Sequence, residues 1–246
     1  MDLLERIIAL LERIFFPVEK PRPNTAPHEP VITPSEIKEH IVLLPEVTKL
    51  NVNWQKKKFI TPSKMPIGLI VHYTVSGKTE LAAKNVAGYF AGTPKSLGYQ
   101  LACPIMSESG KLYVSKDWDI LKDCNNNAGP SSWKGMTNLS QRFMGIEICN
   151  WGLLDNKTTK FVAEKDKRVS TQRDNIKAGT YEKYTHKQEL ALINLCFYLR
   201  KTCPGFKFEN VVGHDEIAPN RKSDPGASLS MTMTQFRWHL SSTYEG

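Results

Sequence analysis

Apolar residues in this chain fall into blocks, some at helical spacing and others in continuous or alternating runs, and their order predicts the architecture. Residues 2 to 16 hold a seven-residue repeat, LLERIIA then LLERIFF. It puts Leu3, Leu4, Ile7, Ile8, Leu10, Leu11, Ile14 and Phe15 on one broad face of an N-terminal amphipathic helix (1–16). That face needs a partner: a second copy of itself, a membrane surface, or the protein's own body. Prolines at 17, 21, 23, 27, 30 and 34 make residues 17–34 a semi-extended linker, which leaves 35–246 as the main domain.

Thr33, Pro34 and Glu36 have the pattern of a helix start, predicting a short helix to about Val47. The run IGLIVHYTV, 67–75, is continuous and β-branched, the pattern of a strand buried on both faces. Helical spacing follows over 78–91. YQLACPIM and KLYVS then predict two strands joined by a turn, with Pro104 marking the first as an edge or bulged strand. In FMGIEICN, 143–150, Met144, Ile146 and Ile148 alternate with Gly145, Glu147 and Cys149, so one strand face is core and the other carries a carboxylate. Residues 155–184 are polar, lysine-rich and without period, a surface insertion. Thr185 with Gln188 caps a helix running to about Thr202, NVVGH at 210–214 is a short strand, and Thr232 with Gln235 opens a last helix carrying Phe236 and Trp238. The expected fold class is α/β, a mixed central sheet flanked by helices.

Charge narrows the partners. Lysine and arginine number 33 against 25 acidic residues, a formal +8 that suits a polyanion: nucleic acid, anionic lipid or an acidic wall polymer. Neither an arginine-rich helix nor an aromatic strand platform is evident, so nucleic acid is not expected. Five widely spaced cysteines without a C-x-x-C pair argue against a disulfide framework or a cysteine zinc site, and point to synthesis in a reducing compartment. No apolar run reaches the ~18 residues that would span a bilayer. The N-terminus, interrupted by Glu5, Arg6, Glu12 and Arg13, does not read as a secretory signal. Synthesis in the cytoplasm without a signal peptide is therefore expected.

His72 lies near the end of the strongest strand, where side chains can face a cleft. Alone, a histidine there is more often a satisfied structural residue. The second element runs from Gly213-His214-Asp215 to Asp224-Pro225-Gly226, a histidine at a strand end and a carboxylate ten residues later on a proline-stiffened loop. Two imidazoles and a carboxylate match the three-ligand set of catalytic zinc sites, although a lone D-P-G also serves as a turn. His28, His40, His186 and His239 have no such partners. Trp118, Trp133 and Trp151 could be core or could floor a sugar groove.

Together, Val71-His72-Tyr73-Thr74, Gly98-Tyr99, Ala128 through Trp133, Gly145-Ile146-Glu147, and Gly213-His214 through Asp224-Pro225-Gly226 occur in an order that resembles the zinc N-acetylmuramoyl-L-alanine amidases. This is the type 2 amidase and peptidoglycan-recognition fold, which includes phage amidase endolysins and bacterial muropeptide amidases; the resemblance covers roughly 60–240. It implies that His72, His214 and Asp224 bind one Zn2+ per chain, that Glu147 handles the proton of the attacking water, that Lys222 steadies charge on the substrate oxygen, and that Tyr99 points at the metal site. Asn127 departs from the histidine common at its position. Asparagine can hydrogen-bond but cannot carry a proton, which suits Asn127, Ala128 and Trp133 to a substrate wall rather than to catalysis.

An amide needs a strong nucleophile and a sink for the developing oxyanion, and zinc with Glu147 and Lys222 can supply them. The resemblance therefore implies a hydrolase of the bond between N-acetylmuramic acid and L-alanine, with peptidoglycan or muropeptides as partners. The expected role is a phage or prophage endolysin, a bacteriolytic enzyme of cell wall degradation acting in the periplasm. A cytoplasmic recycling amidase and a non-hydrolytic recognition module are the alternatives; the module would be expected to lack a ligand.

Overall fold

The computed structural model describes residues 43–92 and 100–244. The expected N-terminal helix, the proline-rich linker, most of the helix expected from Thr33, and Tyr99 lie outside these residues. Residues 43–46 have no regular structure, and Val47, expected to end a helix, opens the first strand instead.

Among the described residues, ten strands and four α-helices follow in chain order. They are β1 (Val47–Leu50), β2 (Lys57–Lys58), β3 (Leu69–Tyr73), α1 (Glu80–Gly92), β4 (Ile105–Met106), β5 (Leu112–Ser115), β6 (Asp123–Cys124) and β7 (Met144–Ile148). After them come β8 (Lys167–Ser170), β9 (Gly179–Glu182), α2 (His186–Thr202), β10 (Val211–Gly213), α3 (His214–Ile217) and α4 (Met233–Thr243). Six strands form the central sheet in the order β1-β5-β4-β7-β3-β10, parallel throughout except for the antiparallel pair β4 and β5. The mixed sheet flanked by helices is the one expected.

Alternation along the two central strands decides what each face does. Leu69 and Val71 of β3, with Met144, Ile146 and Ile148 of β7, enter the main core beneath Leu192, Leu195 and Leu199 of α2. Each fully buried leucine or isoleucine there contributes roughly 1.5–3 kcal/mol. The opposite face puts Ile70 and Val212 into a smaller cluster with Ala128, Leu139, Phe143 and Ile217. One pleat beyond Ile70 and Gly145, which are register partners, come His72 and Glu147, partners in their turn. Thus the smaller face is apolar at one end and chemical at the other.

Helix α2 begins where expected and for the reason expected. The Thr185 hydroxyl accepts from Gln188 N at 3.1 Å while the Gln188 side-chain oxygen accepts from Thr185 N at 2.9 Å, a reciprocal cap. Gln188 Nε2 also donates to Cys149 O at 2.9 Å, which ties the helix start to the end of the strand carrying Glu147. Thr232 and Gln235 cap α4 in the same way. All five cysteines are free and buried. No helix among the described residues is long and apolar enough to cross a membrane.

A further expectation is corrected. Strand β4 is interior, between β5 and β7, not an edge. Pro104 stands just ahead of it, where its missing N–H is not needed and its carbonyl accepts from Glu147 N at 3.0 Å. Within 155–184, the stretch read as a surface insertion, the chain forms the antiparallel hairpin β8–β9. Arg168 anchors that hairpin by donating to the carbonyls of Ala227 at 2.9 Å and Leu229 at 2.7 Å, just beyond the loop that holds Asp224.

Candidate active site

Side chains from four places meet at the C-terminal ends of β3, β7 and β10. His72 arrives on β3, Glu147 on β7, His214 on the first turn after β10, and Asp224 on the following loop. They border a cleft of about 620 Å³ whose other wall includes Asn127 and Ala128.

His72 Nδ1 and His214 Nδ1 converge on one atom, Asp224 Oδ2, at 2.8 and 2.9 Å. The two rings stand 4.4 Å apart and nearly perpendicular at 85°, and all three residues are buried. Their ligand atoms lie within 4.8 Å of one another, so the three could hold a metal ion.

Hydrogen bonding behind the rings tests whether they fit a cation. His214 Nε2 lies 3.0 Å from the carbonyl oxygen of Ala128, which can only accept. The ring nitrogen there must carry the proton, leaving Nδ1 of a neutral His214 with a bare lone pair aimed at a carboxylate oxygen. Two acceptors 2.9 Å apart in a buried site require a proton or a cation between them. In a tetrahedral zinc site with bonds of ~2.0–2.1 Å, ligand atoms would stand roughly 3.3 Å apart, a small outward adjustment from the geometry here. Two nitrogens, one oxygen and an open side toward the cleft are a donor set that suits a metal ion such as zinc.

Electrostatics are consistent with this. Burial, then the neighbouring His214, depresses His72 to about 4, so its imidazole is neutral at pH 7 and able to ligate. Burial pushes the Asp224 carboxyl up, but the His214 and His72 rings packed against it outweigh that, and the net displacement is downward. Asp224 stays anionic.

The loop bearing Asp224 is pinned on both sides. Asp215 N donates to Asp224 O at 2.8 Å, and the Tyr73 and Ser223 hydroxyls bond at 2.6 Å. Arg221 Nη2 donates to Ala128 O at 2.9 Å and Pro130 O at 2.8 Å, so the carbonyl that orients His214 is itself held. Tyr184 Oη donates to His72 O at 3.1 Å from the core side. Gly152, at φ +66°, fits flat against Tyr73, where any Cβ would lie 2.3 Å from the ring. None of these supports was read from the sequence; Arg221 had a signal, its place beside Lys222 in the motif.

Glu147 is the second unusual group. Its Oε2 is buried and has no hydrogen-bond partner among the described residues. Burial, then repulsion from Asp224, raises its carboxyl to about 8, with Lys222 acting the other way. A half-buried carboxyl with one oxygen enclosed, lining a cleft beside a candidate metal centre, is placed to exchange a proton. Lys222 lines the same cleft, half-buried, and makes no ion pair among the described residues.

Asn127 and Ala128 line the cleft as the sequence suggested. Asn127 lies flat over Gly145, donates to Asn125 O at 3.1 Å, and leaves its buried Oδ1 unpartnered. Trp133, placed on the same wall by sequence, is instead off the cleft. It packs against the smaller cluster with the Arg237 guanidinium 5.3 Å from its ring centre. Trp118 is core, 5.3 Å from Trp54, and Trp151 stacks on Phe161 at 5.4 Å. His186 is exposed and His239 half-buried, both away from the cleft.

The fold and site define an α/β protein with a two-histidine, one-carboxylate candidate metal centre at the sheet's C-terminal edge. Residues 62–227 match the N-acetylmuramoyl-L-alanine amidase family Amidase_2, and the chain belongs to that family. Among solved structures it is similar to AmpD, at 20% identity and TM-score 0.49, covering 79% of this chain and 93% of that one. It is similar to AmiD from E. coli, solved with anhydro-N-acetylmuramic acid-L-Ala-D-γ-Glu-L-Lys, at 22% identity and TM-score 0.48, covering 72% of this chain and 57% of that one. It is also similar to PGRP-SA of Apis mellifera, at 13% identity and TM-score 0.48, covering 76% and 90%. No curated protein sequence matches it significantly.

Proposed function

We propose that this chain is an active, zinc-dependent amidase that hydrolyses the bond between N-acetylmuramic acid and L-alanine in peptidoglycan. The observation that carries the reading is the pair of histidine Nδ1 atoms on one Asp224 oxygen, with His214 Nε2 committed to Ala128. A recognition module that only binds has no use for an intact ligand set beside an unpartnered carboxyl.

Zinc bound by His72, His214 and Asp224 would supply Lewis acidity, polarising the amide carbonyl and acidifying water. The protein's own groups do the rest. Glu147 takes a proton from the attacking water and returns it to the leaving alanine nitrogen, so that the peptide departs as a neutral amine. Lys222 sets a positive charge in the cleft where the carbonyl oxygen becomes anionic. Asn127 and Ala128 form part of the wall against which the sugar or peptide would lie. The +8 charge suits action on the polyanionic envelope, as a bacteriolytic endolysin would require.

The test is cleavage of a defined muropeptide and of intact sacculi, with chelator and with zinc restored. Cleavage of both, lost on chelation and regained with zinc, supports the lytic reading. Cleavage of the soluble substrate alone points to muropeptide recycling, and binding without cleavage under every metal condition rejects the amidase.

A further inference from the structure

Val75 is held in a conformation that a β-branched residue rarely adopts. Its φ is +53°, in the left-handed region where Cβ crowds the backbone. The residues on either side enforce it: Thr74 N donates to Ile148 O and Ser76 N to Asn150 O, each at 3.1 Å. The Thr74 and Ser76 hydroxyls also bond across Val75 at 2.6 Å, and Asn150 N donates to Thr74 Oγ1 at 3.3 Å.

That strain secures no packing. Val75 is 56% exposed, and it lines the cleft that holds His72 and Glu147. It lies three residues beyond His72, so their Cα atoms are at most about 11 Å apart. A strained backbone that sets an isopropyl group at the cleft places an apolar contact for a ligand.

We propose that Val75 determines specificity for the alkyl group next to the scissile amide, the side-chain methyl of the first peptide residue. This rests on the amidase reading given above. Val75 takes no part in proton transfer or metal binding; it favours alanine over glycine by covering the methyl.

The test compares muramoyl peptides beginning with L-alanine and with glycine, on zinc-loaded wild type, Val75→Asn and Val75→Ala. Asparagine tolerates the left-handed region and is close to valine in size, so Val75→Asn should fold with an unchanged or higher Tm. Wild type should prefer the alanyl substrate by about 10-fold in kcat/KM, and both variants should approach parity. An unchanged preference in both variants overturns the proposal, as does a lowered Tm in Val75→Asn with equal losses on the two substrates. Calorimetric binding of both peptides is measured alongside. If wild type binds without cleaving, the amidase reading fails, and the ratio of the two Kd values decides the role of Val75 by the same criterion.

Discussion

His72 and Glu147 are register partners on the parallel strands β3 and β7, so their side chains leave the same face of the sheet at the edge of one cleft. This pairing places a candidate metal ligand beside a half-buried carboxyl without any loop intervening. Rigid strands hold both, which favours a precise geometry.

Glu147→Gln keeps the shape of the side chain and removes its capacity to accept a proton. It should lower kcat by about 10²–10⁴-fold with little change in KM, and zinc content should be unaffected. Steady-state kinetics together with metal analysis checks this. A kcat within a few-fold of wild type would remove Glu147 from proton transfer.

The same residue predicts how the metal-free protein responds to pH. Glu147 is raised from 4.5 to about 8 in the folded state. A carboxyl whose folded pKa exceeds its unfolded one contributes stability fully below the unfolded value, and that contribution fades as pH climbs to the folded value. Between about pH 4.5 and 8 Glu147 should therefore reduce stability at up to ~1.4 kcal/mol per pH unit. Asp215, raised to about 8 chiefly by burial, adds to the same trend. Chelated wild type and Glu147→Gln, compared by urea denaturation across this range, should diverge as pH rises, with the variant losing less.

Asp224→Ala removes the atom on which both histidines converge. Zinc at a hundred times its Kd should stabilise wild type by about 2.7 kcal/mol and the variant by far less. Thermal melts with chelator and with zinc read this directly, and equal zinc shifts in the two proteins would place the metal elsewhere.

Away from the site, Thr185→Ala breaks the reciprocal cap of α2. The loss should be about 1 kcal/mol in chemical denaturation, with kcat unchanged.

Much of this arrangement was legible in the chain because its causes are local. The run around His72, the alternation around Glu147 and the Thr185–Gln188 cap each encode one element in a few residues, and each stands where the pattern put it. What escaped depended on tertiary partners. Pro104 suggested an edge, yet the proline precedes an interior strand and contributes only its carbonyl. The hairpin β8–β9 has weak periodicity because its fit comes from Arg168 reaching the carbonyls near Ala227. Trp133 belongs to a motif that borders the cleft, but its ring turns to the cluster around Phe143. Ala128 joined the candidate wall by motif alone; its carbonyl, which fixes the proton on His214, was invisible to any pattern of side chains. Val75 looked like an ordinary strand residue, since sequence carries no trace of its positive φ.

The most direct test of the central claim is hydrolysis of a muropeptide by the zinc-loaded protein in water enriched in heavy oxygen, with products read by mass spectrometry. The account predicts that the label enters the muramic acid carboxyl, that the released peptide begins with an unlabelled L-alanine amine, and that chelation abolishes both products. Label in any other bond, or an intact muropeptide with zinc bound, would contradict it.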